Sequence, residues 1–164
     1  MTQATTLLFD KCINFLQDIG IEVEFTSIDA ECFLPGFQLS GGKVLVDREK
    51  MRYPGDLLHE AAHIAVVPAA ERASLTAESI MLRPMREAEE MMAIAWSYAA
   101  CVHLDIHPYF VLHNEGYQGG GNEIADNFIE GRYFGVPMLQ WTGMCAANDS
   151  DAPPYPVMLK WLRD

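Results

Sequence analysis

Apolar residues fall at Leu7, Leu8, Cys12, Phe15, Leu16 and Ile19, the spacing of an amphipathic helix over residues 5–18. Gly20 follows, where a left-handed helix cap is usual. The pattern then shortens. Residues 21–25, 32–37 and 43–47 are alternating or β-branched, with Pro35-Gly36 and Gly41-Gly42 as turn signals, and predict a small antiparallel sheet. Two long helical segments come next, over 54–66 and 84–104; Pro54 suits a first helical turn and Pro68 stops the first segment. Further on, 114–122 is a glycine-rich loop, and short helices are expected over 123–130 and 156–162. Strands early and helices late predict an α+β fold: a small antiparallel sheet packed on a pair of buried helices, with a helical C-terminal half. The 164 residues suit a single domain spanning 1–164.

Both long helices break the usual division of polar and apolar faces. Over 57–70 every residue is apolar except His59, Glu60 and His63. A helix apolar all round is buried, and burying two imidazoles and a carboxylate without partners costs several kcal/mol. A divalent cation would compensate all three. His59 and His63 are four apart, so both imidazoles project from one face, one turn from each other, and can hold a single Zn²⁺. Glu60 can reach a metal-bound water without being a ligand, and is the expected general base. Two neutral core histidines with a protonated or paired Glu60 is the plainer alternative.

A catalytic zinc site needs a third protein ligand. Over 88–102 the strongly polar side chains are Glu89, Glu90 and Ser97. Glu90 shares a face with Ala93 and Ser97, small residues that permit close approach of another helix, whereas Glu89 shares one with Met92 and Trp96. Glu90 is preferred as the third ligand, with Glu89 the alternative. His103 lies over three turns beyond Glu90, and His107 precedes Pro108 in a turn, which argues against both as ligands. His113 and Tyr117 belong to the glycine-rich loop, which either folds over the site and offers substrate a hydrogen bond, or is an ordinary surface loop with a packed Tyr. The glycines are not followed by Gly-Lys-Ser/Thr, so they are not a phosphate loop.

His59-Glu60-Ala61-Ala62-His63, followed by Glu90 on another helix, resembles the zincin metallopeptidases, specifically the gluzincin branch. The resemblance implies His59, His63 and Glu90 as zinc ligands and Glu60 as general base. It also implies that the strand before the motif helix, with Val44 and Val46, binds an extended peptide by edge pairing. One departure stands out. Gluzincins often carry an Asp or Asn four residues after the third ligand to orient the first His, and Ile94 occupies that position.

Charge narrows the partners. Eleven Lys and Arg against 23 Asp and Glu leave a net charge of −12, which repels phosphate backbones, so no nucleic-acid partner is expected. No apolar run reaches the roughly 18 residues of a membrane span, and the N-terminus lacks the pattern of a signal peptide, so no membrane partner and a cytoplasmic location are expected. Cys12, Cys32, Cys101 and Cys145 form no CxxC pair and read as reduced, mostly buried thiols. The expected function is that of a zinc-dependent hydrolase, a metallopeptidase in which metal-bound water attacks a peptide-like carbonyl of a peptide or protein substrate. The alternative is a zinc-binding regulatory or binding protein without turnover.

Overall fold

The computed structural model describes residues 2–29 and 33–164. The first helix, α1 (Gln3–Asp18), starts at Thr2, whose hydroxyl accepts the Thr5 amide, and buries Phe9, Cys12, Phe15 and Leu16. Three short strands follow: β1 (Val23–Phe25), β2 (Phe37–Ser40) and β3 (Lys43–Val46). Their order is β1-β3-β2, so β3 is the central strand. β2 and β3 are antiparallel, Ser40 opposite Lys43 across Gly41-Gly42, as a two-residue hairpin requires. β1 runs parallel to β3, Val23 opposite Val44, so the sheet is mixed rather than antiparallel throughout. The long connection between β1 and β2 permits this, because parallel neighbours cannot be joined by a tight turn. Of the expected strand over 32–37, Cys32 lies outside the described residues; the observed strand starts at Phe37.

Two helices form the centre: α2 (Asp56–Val66) and α5 (Arg86–His103). They pack against each other more extensively than any other pair of elements. Small side chains make this possible: Ala61, Ala62 and Ala65 on α2, and Ala93, Ser97 and Ala100 on α5, are all fully buried. Between them lie the short helices α3 (Ala69–Arg72) and α4 (Ala77–Met81), the latter started by a reciprocal capping box between Thr76 and Ser79. After α5 come two single 3₁₀ turns (Pro108–Phe110 and Asn114–Gly116), α6 (Gly121–Ile129) and α7 (Val136–Trp141). The architecture is α+β.

The expected helix over 156–162 does not form. A helix this short is marginal on its own, and tertiary contacts pull the segment into an extended strap. The Leu159 and Lys160 amides donate to the Met144 carbonyl, the Arg163 amide donates to Ala65 at the end of α2, and the Trp161 carbonyl accepts from Trp96 Nε1 at 2.9 Å. The Trp161 ring closes an aromatic cluster with Phe15 and Trp96. Cys12, Cys101 and Cys145 are buried free thiols, and burial pushes the Cys12 thiol up to about 12. No helix among the described residues is long and apolar enough to cross a membrane.

Candidate metal centre

The start of α2 is set by close packing. At Gly55, which precedes the helix, a Cβ would lie 1.7 Å from the Phe110 carbonyl oxygen, so only glycine lets the 108–113 segment lie against this turn. From there the helix carries Asp56, His59, Glu60 and His63 to one end of a cleft of about 700 Å³, where Glu90 and Tyr117 join them. Leu34, Ile80 and Ile124 supply apolar wall, and Phe33 stands at the mouth, 90 % exposed.

Glu90 faces both imidazoles. One carboxylate oxygen is 3.4 Å from His59 Nε2 and the other is 3.5 Å from His63 Nε2. The donor atoms of the three residues all lie within 4.8 Å of one another. Separations of 3.4–3.5 Å are long for a hydrogen bond. They match the donor–donor edge of about 3.3–3.4 Å that follows from tetrahedral geometry with bonds of about 2.0–2.1 Å. The three groups lie close enough together that they could hold a metal ion.

Electrostatics agree with that fit. Burial pushes His59 down to about 4, with the charge of His113 adding to it; burial and the neighbouring His59 push His63 down to about 4, against the opposing pull of Glu90 and Glu89. Both imidazoles are thus neutral at pH 7, the form that donates a lone pair to a metal. Burial pushes Glu60 up to about 8, reinforced by the carboxylates of Asp56 and Glu90. With no cation beside it, Glu60 holds a proton at neutral pH; a divalent ion reverses that preference.

Glu89, the alternative third ligand, is engaged elsewhere. It turns to Arg83, whose Nη2 donates to Oε1 at 2.7 Å while Nε donates to Oε2, and Arg83 Nη1 also reaches Glu71 at 2.6 Å. Of the two, Glu90 is the one whose carboxylate lies beside His59 and His63.

The glycine-rich loop does pack on the site. Tyr117 Oη lies 3.0 Å from His59 Nδ1, and burial holds the phenol well above its ordinary range, so it is neutral at working pH. His113 does not line the cleft. It is buried behind it, where its Nδ1 accepts the Gly116 amide (3.2 Å), which leaves Nε2–H to donate to Asp56 Oδ1 at 2.7 Å. A role for His113 in contacting substrate does not fit that position. Val44 and Val46 need a firmer correction. Both are buried, and β3 is paired with β1 on one side and β2 on the other, so it has no free edge to offer a peptide. The adjacent β2, not β3, is an edge strand of this sheet. His103 packs by its ring against Phe15 and Trp161, and His107 caps the turn at Tyr109; neither belongs to the cluster.

Asp56 was not singled out by sequence reasoning. It is 2 % exposed, its Oδ1 is held by His113, and its Oδ2 has no hydrogen-bond partner among the described residues. The available signal was a carboxylate in the first turn of an otherwise apolar helix, one turn before Glu60. Helix starts favour acidic residues on dipole grounds alone, which concealed it.

Comparisons with protein-family models, curated sequences and solved structures returned no match.

Proposed function

We propose that this chain is a zinc-dependent hydrolase, most simply a metallopeptidase, acting on a peptide-like carbonyl. The observation that carries the reading is Glu90 spanning the two imidazoles, with one donor atom from each of the three residues within 4.8 Å of the others. His59, His63 and Glu90, which line the cleft, would hold the metal. A bound Zn²⁺ supplies carbonyl polarisation and acidified water. Glu60, in the same cleft, accepts a proton as water attacks and delivers it to the leaving amine. The cleft has the size of a small-ligand site. A net charge of −12 disfavours nucleic acid as substrate, and the reduced, buried thiols suit a cytoplasmic setting.

The alternative, a zinc-binding protein without turnover, draws on Ile94, an apolar residue where gluzincins often place an orienting acid. Metal content of the purified chain by inductively coupled plasma mass spectrometry, followed by peptide-library cleavage with and without chelator, tests both. One zinc per chain with chelator-sensitive cleavage is the expected result. One zinc without cleavage favours the alternative, and no zinc removes both readings.

A further inference from the structure

We infer that Tyr117 orients the metal-binding ring of His59, in the place of the missing acid at position 94, and that the buried Asp56–His113 pair holds Tyr117 there. The inference rests on the zinc reading. With a metal between Nε2 and Glu90, a neutral His59 would give the Nε2 lone pair to the ion and carry its proton on Nδ1. In that state the N–H would face Tyr117 Oη, 3.0 Å away, and the phenol oxygen would accept it. A metal-ligating histidine needs such an acceptor to fix ring orientation and tautomer, most often a carboxylate or carbonyl. Ile94 offers none, and a neutral phenol fills the role here.

Tyr117 reaches His59 from 58 residues away in the chain, so something must fix its loop. Besides the exposed Glu115 carboxylate 3.4 Å from Nδ1, three contacts converge on His113. Its Nε2–H donates to Asp56 at 2.7 Å, its ring stacks on Tyr53 with centroids 4.3 Å apart, and its Nδ1 accepts the amide of Gly116, the residue before Tyr117. The backbone is clamped as well. A Cβ on Gly121 would fall 2.1 Å from the His113 carbonyl oxygen, so the start of α6 is pressed onto the same residue. Asp56 sits one turn before His59 and Glu60 on α2. A single helix therefore carries both the ring to be oriented and the anchor of the loop that orients it. The loop is a fixed part of the site, not a lid, and His113 acts through Tyr117 rather than on substrate.

The test uses zinc affinity, by competition with a chromogenic chelator, for wild type, Tyr117→Phe, His113→Ala and the double variant, with melting temperatures taken in chelator. Tyr117→Phe is expected to bind zinc about ten- to a hundredfold more weakly, the usual worth of such a partner. His113→Ala weakens binding by less. The double variant binds no more weakly than Tyr117→Phe alone, because the anchor has nothing left to position. The visible spectrum of the cobalt-substituted protein should shift in Tyr117→Phe, a change that loss of stability alone does not produce. Where His113→Ala does not fold, His113→Gln, whose amide can still donate to Asp56, is expected to keep affinity close to wild type. Wild-type affinity in Tyr117→Phe overturns the role of Tyr117. Additive losses in the double variant overturn the role of His113. A wild-type chain that binds no zinc overturns the metal reading itself, and this inference with it.

Discussion

The N-terminal part of α5 presents two adjacent carboxylates, Glu89 and Glu90, to two different neighbourhoods. Glu89 is buried and meets Arg83, which closes the charge with two hydrogen bonds and is itself shared with Glu71. Glu90, one residue on, meets two imidazoles that burial keeps neutral. Glu89 is buried and needs its charge compensated, whereas the Glu90 side chain is 43 % exposed. For Glu89 the chain supplies the cation. At Glu90 it supplies two lone pairs and a third acidic group, Glu60, on the facing helix. The difference separates an internal ion pair, which is complete, from a cluster of donors that, in the function we propose, a cation from outside would complete.

The strongest way to break this comparison is to remove a donor from the second cluster. His63→Ala is expected to abolish stoichiometric zinc and, with zinc in the buffer, to lower the melting temperature, because metal-binding free energy is lost from the folded state. A variant that retains one zinc per chain would remove His63 from the ligand set. Next in size, Glu60→Gln should keep its zinc and lose hydrolysis by at least about a hundredfold, the typical worth of a general base. Cleavage near the wild-type rate would exclude Glu60 from proton transfer.

The two carboxylates can then be set against each other directly. Glu90→Ala is expected to weaken zinc affinity about ten- to a hundredfold. Glu89→Ala should leave affinity nearly unchanged but cost about 3 kcal/mol of stability, since it leaves Arg83 largely desolvated with one partner fewer. Chelator competition and urea unfolding on both variants read the two effects separately. The reverse ranking in affinity would move the ligand to Glu89.

The smallest effect sharpens the electrostatic side. In chelator, Glu60 has a folded-state value raised from 4.5 to about 8, so its contribution to stability is full below pH 4.5 and is lost as pH rises toward 8. His59 and His63 run the other way: their values fall from 6.5 to about 4, so their contribution is full above pH 6.5 and is lost as pH falls toward 4. The melting temperature of the metal-free protein should therefore decline on both sides of an intermediate pH, and Glu60→Gln should flatten only the alkaline side. A variant with the same alkaline decline as wild type would assign that decline to other groups.

How much was legible in advance follows from the range of each interaction. The amphipathic α1, the two central helices and the one-sided placement of His59 and His63 depend on contacts three or four residues apart, and periodicity in the chain reports such contacts directly. Small residues beside Glu90 even carried the rotational phase of α5, because close helix approach needs them there. Other features depend on partners far away in sequence. The parallel pairing of β1 buries β3 in the middle of the sheet and takes Val44 and Val46 away from any substrate. The Arg163 and Trp161 backbones draw the C-terminal segment into an extended strap against α2 and α5, overriding a weak local preference for helix. Tyr117 and His113 had drawn attention as loop residues, but which atoms they meet depends on Gly55 and Gly121 admitting another backbone at van der Waals distance. Local order follows from the chain's own periodicity, whereas register, pairing partner and the second layer around the cluster are decided only when distant segments compete for the same buried surface.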